Sequence, residues 1–541
     1  MFVRPLTLAL ISAMLLGPVQ VSAQQYILLA WNDLGMHCAN KDFSAIAVLP
    51  PYNTVYAQLI RKTAGESPEI VTAGYSVSYS IPGNTYSAGK TNFWTYAQQL
   101  FGLSQPLPPN VGLTGRGLSG TMDTSGTHFI AVGIPLTPYS DDDLMNEKPF
   151  QLVHLVAQNV ATGDTVATTD AVIPVSNEIG CVQSGCHSSV AAIVNEHEDA
   201  GLTTPVLCAS CHASNALGTI GDPEAAPLSY RIHSTHSWIT PRDSVATCYK
   251  CHPGPNTRCL RDIMGRNPVN PLACQSCHGT MAQIAYSITT GRRPWLDEPR
   301  CGNTTCHGSG HSEEPNTLYR MSRGHGGLFC SACHGSPHAI QPTVQPNDNL
   351  QNIRLQGFAG PLSDCSVCHT VPPTGPGPHG LLPGSQVTSH IAIAQGWNLL
   401  SVPVSVTDPR RGTLFPTAVS NAFTYVPDSG YVVRDSLLNR DGYWMRFSTV
   451  QTVNITGLGR SQDTVDVVAG WNLFGTITSP VSTGSILQMP SGIVSSGYYG
   501  FGGSGYAVTT TLQPGSAYWV RASIPGRLVL VPSRQFRVQN R

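Results

Sequence analysis

The sequence predicts a multidomain chain: a β-sandwich-like N-terminal domain, a loop-rich central domain with short helices, and two C-terminal β modules. Three observations predict it. Residues 24–178 carry runs that alternate apolar and polar residues or are mainly apolar. Residues 179–385 repeat one cysteine–histidine signature seven times. Residues 386–465 are echoed by residues 466–541 at an offset of about 75 residues.

In the first part, Tyr75–Ile81, His128–Ile134 and Leu152–Val156 read as strands, and Tyr56–Arg61 extends another. Thr162-Gly163-Asp164 between two such runs is a hairpin signal. Asn92–Phe101 reads as a short helix. Asp141, Asp142 and Asp143 form either an exposed acidic loop or a Ca²⁺ site.

The central part carries the chemistry. Five copies of the signature are C-x-x-C-H: Cys208/Cys211/His212, Cys248/Cys251/His252, Cys274/Cys277/His278, Cys330/Cys333/His334 and Cys365/Cys368/His369. Two are wider, C-x₄-C-H: Cys181/Cys186/His187 and Cys301/Cys306/His307. C-x-x-C-H is the attachment signature of c-type haem. Two thiols add to the vinyl groups on the porphyrin edge, and the next residue then lies under the ring with its imidazole on the iron. A zinc half-site or a redox dithiol explains one C-x-x-C. Neither places histidine after every second cysteine. Seven covalent haems are therefore expected. The two wide copies work if their extra residues bulge outward.

Seven haems in this segment leave about 27 residues each, too few for an ordinary apolar core, so the porphyrins are expected to be the core. Val190–His197 reads as one of the short helices around them.

The chain has 18 histidines. Beyond the seven in the signatures, eight are candidates for the opposite axial position: His37, His197, His233, His236, His311, His325, His338 and His379. His128, His154 and His390 lie farther from the signatures. Supply suffices for two histidines on every iron, which implies low potentials. Met264 and Met321 are either methionine ligands or ordinary packing residues.

Of 16 cysteines, only Cys38 and Cys259 stand outside the signatures. They are either a disulfide or two thiols. A start containing Arg4, an apolar run Leu6–Leu16 and the small-x-small site Val21-Ser22-Ala23 read as a signal peptide over residues 1–23. No later segment reads as transmembrane, and with a formal net charge of −1 no basic run argues for nucleic acid. A secreted, periplasmic or cell-surface location is expected, where disulfides persist.

Two stretches carry a resemblance. Trp31-Asn32-Asp33-Leu34-Gly35-Met36-His37-Cys38, with Asp42-Phe43-Ser44 and Leu49–Thr54, resembles the opening of a family of secreted multihaem cytochromes. Pro135–Asp143, Pro174–Cys181 and Cys251–Arg261 fit the same family, so the resemblance covers roughly residues 26–380. It implies electron transfer outside the cytoplasm and identifies no redox partner. Both leftover cysteines lie inside these stretches. A Cys38–Cys259 bond would bring His37 to the third signature, where it is either an axial ligand or a buried structural histidine.

Val371–Ser385 is rich in Pro and Gly and reads as a linker. Beyond it, Gly396-Trp397-Asn398-Leu399 returns as Gly470-Trp471-Asn472-Leu473, and Gly442-Tyr443-Trp444 as Ala517-Tyr518-Trp519. These modules resemble the GWNL-type β repeats at the C-termini of some secreted bacterial proteins, which implies surface display or assembly. Their aromatics are either core or a glycan or mineral site.

The expected function is electron transfer along seven haems to another redox protein or an extracellular acceptor, as a monomer or as a homopolymeric filament. The alternative is a multihaem reductase of nitrogen or sulfur oxyanions with one open iron. No C-x-x-C-K site, the lysine-ligated variant, occurs. A binding or scaffold role for the β domains would be partial at most.

Overall fold

Alternation builds the first part of the chain into two sheets. In Phe150–Asn159 every second residue, Val153, Leu155 and Ala157, is fully buried. This strand pairs antiparallel with Thr165–Ser176 across a turn where Gly163 takes a φ of +76°. Tyr75–Ser80 flanks the pair on one side and Gly120–Thr121 lies beyond it. On the other side His37–Cys38 runs parallel to the end of Thr165–Ser176. The second sheet has the order Gln25–Asn32, Thr54–Lys62, His128–Val132, Asp123–Ser125, with Glu69–Val71 also on Thr54–Lys62. Val55, Ala57, Leu59 and Phe129 of one sheet and Val77, Tyr79, Val153 and Leu155 of the other form one apolar core. The helix expected over Asn92–Phe101 is Phe93–Phe101, closed by Gly102 in the left-handed conformation.

The computed structural model describes residues 25–532, apart from 183–184, 196, 198–200, 240–243, 255, 263, 267–271, 304–305, 309–312, 372, 374–376, 381–385, 407, 428 and 503–504. The expected signal peptide lies outside the described residues, as does most of the linker.

Strand Thr54–Lys62 is buried at all but one position. One face looks into the sandwich; the other carries Tyr56 and Ile60, which pack with Leu29 and Trp31 against Phe329 and Ala332 of the central segment. That segment has short helices, among them Val190–Asn195, Leu228–Thr235, Met281–Thr289 and Pro346–Gln356. Among the described residues it forms no apolar cluster of its own. Leu207 and Ala209 join Phe43 and Phe93, Phe329 joins Trp31, and Ala359 joins Leu487 and Val529.

The last part is two copies of one design. Each has a three-stranded sheet (Gln386–Ile393, Gln451–Gly459, Val404–Ser405; then Asp463–Val467, Gly526–Leu530, Leu487–Met489) facing a four-stranded one. The repeated Gly-Trp-Asn-Leu has a structural reason. Asn398 accepts from Ala394 N–H (2.8 Å) and donates to the Ala394 and Gly396 carbonyls. Asn472 does the same with Val468 and Gly470. Each asparagine staples the turn that starts its strand, and Gly396 and Gly470 supply φ values of +98° and +101° there. The modules meet about a pseudo-two-fold: Trp444 meets Phe501 (4.6 Å between ring centres) and Tyr425 meets Trp519 (5.0 Å). Trp397 and Trp471 stay roughly half exposed.

Helix Pro346–Gln356 ties all three parts together. Gln351 accepts from Ala30 N–H (2.8 Å) and Thr169 Oγ1 (3.1 Å) in the sandwich. Ala359, just past the helix, donates to Thr464 Oγ1 (2.7 Å) in the last module. At its start Asp348 takes both arms of Arg261 (2.6 and 2.9 Å), with both side chains almost wholly buried. Arg261 also donates to the Gly35 carbonyl (2.7 Å), and its own N–H reaches the His338 carbonyl (3.0 Å).

Removing one partner of a buried ion pair strands the other charge and costs about 3–5 kcal/mol, whereas replacing both with apolar residues costs far less. Arg261→Ala or Asp348→Ala should each lower stability by about that amount, and Arg261→Met with Asp348→Leu should recover most of it. Urea unfolding followed by far-UV circular dichroism reads the difference.

Candidate functional site

The seven signatures share one local conformation. In the tight copies the chain makes a single helical turn, so the histidine N–H meets the carbonyl of the first cysteine: His212 to Cys208 (3.0 Å), His252 to Cys248 (2.9 Å), His369 to Cys365 (2.9 Å). Cys274–His278 and Cys330–His334 are helical throughout. The wide copies close the same way, with His187 donating to Cys181 (3.2 Å) and His307 to Cys301 (3.2 Å). The two extra residues are taken up inside the loop, and the two ends keep the relation of the tight copies.

Each signature histidine, where its surroundings are described, faces a second histidine. The ring centres are 6.1 Å apart for His187 and His236, 6.3 Å for His212 and His197, and 6.1 Å for His252 and His233. They are 6.0 Å apart for His278 and His338, 5.8 Å for His334 and His379, and 6.0 Å for His369 and His325. Six of the eight candidates from the sequence are thus brought to six signature histidines, one to one. His307 is the seventh; His311, the candidate nearest to it in sequence, lies outside the described residues.

Hydrogen bonds fix which nitrogen faces the partner. Nδ1 of His212 meets the Ala226 carbonyl (2.7 Å), that of His233 the Ser229 carbonyl (2.7 Å) and that of His236 the Ile232 carbonyl (2.8 Å). His197 does the same with Ile193 (3.2 Å). A carbonyl only accepts, so Nδ1 carries the proton and Nε2 keeps its lone pair, as a ligating imidazole requires. Burial and the neighbouring imidazoles hold the ring of His252 neutral, lowering its pKa to about 4. His338 is likewise lowered to about 4 by burial, with His278 and Arg261 nearby. Burial lowers His233, His278 and His369 as well.

This donor set fits the group the signatures imply. A metal–imidazole nitrogen bond of about 2 Å puts the centres of two trans rings about 6 Å apart. An iron in a porphyrin takes one axial ligand from each face, and the adjacent thiols lie where the ring edge would be attached. Burial pushes the thiols of Cys208, Cys251 and Cys368 up to about 11, so they are neutral near pH 7.

Several sequence candidates have other places. His37 gives Nε2 to Asp33 Oδ1 (2.7 Å) with both side chains buried, and so follows the structural of its two readings. His128 stacks on Tyr56, His154 meets Asp170 (2.7 Å) and His390 meets Asn454 (2.7 Å). Met321 accepts from the Tyr56 hydroxyl at 3.7 Å, and Met264 starts a short 3₁₀ turn. The acidic loop is served by the chain itself: Asp141 by Lys90 (2.7 Å), Asp142 by Lys148 (3.0 Å), Asp143 by the Asn146 N–H (3.0 Å). Cys38 and Cys259 are half-buried free thiols, each pushed up by burial; Cys259 next to Cys38 adds to the rise there.

The Trp31–Cys38 stretch works as a clamp on the central segment. Asn32 Oδ1 accepts from the Gly35 N–H (2.8 Å), turning the chain so that Gly35 presses on Pro337. A Cβ at Gly35 would fall 1.8 Å from the Pro337 carbonyl oxygen at a φ of +73°, so only glycine fits. Ser336 donates to the Asn32 carbonyl, and Trp31 packs on Phe329. The clamp thereby holds Phe329–His338, which includes the sixth signature and the distal partner of the fourth. Sequence reasoning missed this role, because its contacts lie some 300 residues away in the chain.

A scan against protein-family models, a search of curated proteins and a search of solved structures each returned no match.

Leaving buried Asp33 without its partner should cost about 1–3 kcal/mol. His37→Ala is expected to lower the urea midpoint accordingly while leaving far-UV circular dichroism of the folded protein unchanged.

Proposed function

We propose that the chain is a multihaem c-type cytochrome that carries electrons along seven covalently bound haems. One observation carries the reading: six signature histidines are each paired with a distal histidine at the spacing two axial ligands of one iron require. When bound, each haem supplies a one-electron iron couple and a conjugated ring that passes the electron to its neighbour.

The protein's own residues do the rest. Backbone carbonyls orient the imidazoles, and the cysteines set where each ring edge is fixed. Two strong ligands on an iron leave no position for substrate, which favours a carrier over the runner-up, a reductase of nitrogen or sulfur oxyanions. The lack of a separate apolar cluster among the described central residues supports haem rings as the packing core of that segment. The carrier would work outside the cytoplasm, periplasmic or at the cell surface, handing electrons to another redox protein or an extracellular acceptor, as a monomer or a filament. Among the described residues no helix is long and apolar enough to cross a membrane.

The test is a haem count on purified protein by intact mass and by the pyridine haemochrome spectrum, with seven per chain expected. A count of zero, or zinc in place of iron, would overturn the reading. The ligand assignment is tested by two substitutions. His338→Ala should produce a high-spin ferric signal in electron paramagnetic resonance, because the iron at His278 loses an axial ligand. His37→Ala should leave the spectrum low-spin.

A further inference from the structure

The order of the seven sites along the chain is not their order in space. Five observations place neighbours together. Gly180, next to Cys181, donates to the Cys251 carbonyl (3.4 Å), so the first signature touches the third. Helix Leu228–Thr235 and its C-terminal cap supply His233 to the third and His236 to the first, on adjacent turns. The first and second exchange ligands. His197, shortly after the first signature, pairs with His212, and His236, after the second, pairs with His187. Gln275 in the fourth donates to the Ser244 carbonyl (2.8 Å) at the cap of the third. The sixth and seventh also exchange ligands, through His325 and His379, and Leu362 donates to the Cys333 carbonyl (3.0 Å).

The electrostatics of the thiols follow the same neighbours. Cys208 feels Cys181, Cys251 feels Cys181 and Cys186, and Cys277 feels Cys306. Cys301 feels Cys330, and Cys333 feels Cys368.

Resting on the cytochrome reading, we infer that the sites form one row in the order second, first, third, fourth, fifth, sixth, seventh, with its ends at His212 and His369. The N-terminal domain holds both ends. Val206–Leu207, leading into Cys208, pairs parallel with Ile46–Ala47. Lys62 donates to the Ser366 and Val367 carbonyls (2.8 and 2.9 Å) inside the seventh signature. Electrons therefore enter and leave at these two ends, and the first signature is an interior relay. Each step moves one electron from a ferrous to a ferric iron, with no bond made and no proton transferred.

The experiment uses the full holoprotein with a ruthenium photosensitiser on Ser363→Cys, an exposed position beside the seventh signature, and ascorbate as sacrificial electron donor. A Met ligand raises the potential of its iron and marks it in the spectrum. With the mark at the second site (His197→Met), Cys181→Ala with Cys186→Ala should abolish arrival of the flash-injected electron. With the mark at the first site (His236→Met), Cys208→Ala with Cys211→Ala should leave arrival intact. The opposite pair of results would mean that the row follows the sequence and would overturn the proposed order. Each variant is first counted for six haems. A parent protein without seven would sink the functional reading instead. Pulsed electron–electron resonance between the marked iron and a nitroxide at Ser363→Cys gives a second readout. The second site should lie farther from the label than the first, and the reverse would also overturn the order.

Discussion

The buried Arg261–Asp348 pair is the contact on which the arrangement of the parts depends. A guanidinium that loses water must have all its donors satisfied, and here they go to three places: Asp348 on the bridging helix, the Gly35 carbonyl in the sandwich and the Cys259 carbonyl in the central segment. The backbone N–H of Arg261 adds the carbonyl of His338. One side chain thus registers the sandwich, the loop after the third signature and the distal partner of the fourth. Such a contact matters more in a segment with few apolar side chains of its own, where ordinary burial supplies little of the stability.

The clamp at Trp31–Cys38 acts on the same joint from the other side. Asn32 shapes the turn, Gly35 allows the approach to Pro337, and His37 neutralises Asp33. Together with Lys62 at the seventh signature and Ile46–Ala47 at the second, these contacts make the sandwich a rigid bed along which the cysteine–histidine segment is laid. For a carrier this has a mechanical meaning. Electron transfer depends on fixed spacing between neighbours, and the spacing is set by backbone contacts to a well-packed β core.

Much of this was legible in the sequence where the signal is local. Alternation gave the strands around Val153 and Val77, and Thr162-Gly163-Asp164 gave their hairpin. The repeated Gly-Trp-Asn-Leu marked two similar β modules. The cysteine–histidine spacing picked out the seven signature histidines and the pool from which their partners come. The pairing was not legible. His338 stands four residues after His334 yet faces His278, and His379 follows the seventh signature yet faces the sixth. Such choices are made by tertiary packing, which leaves no periodic trace. His37 stayed open for the same reason, since its partner Asp33 is adjacent in sequence but the burial that joins them comes from elsewhere.

The most direct test of the central claim is the absorption spectrum of the reduced, purified protein before and after adding carbon monoxide. Seven irons with a histidine on each face should give the sharp bands of low-spin ferrous c-type haem and no change with carbon monoxide. A shift equivalent to about one haem in seven would reveal an open iron, contradict the carrier account and favour the reductase.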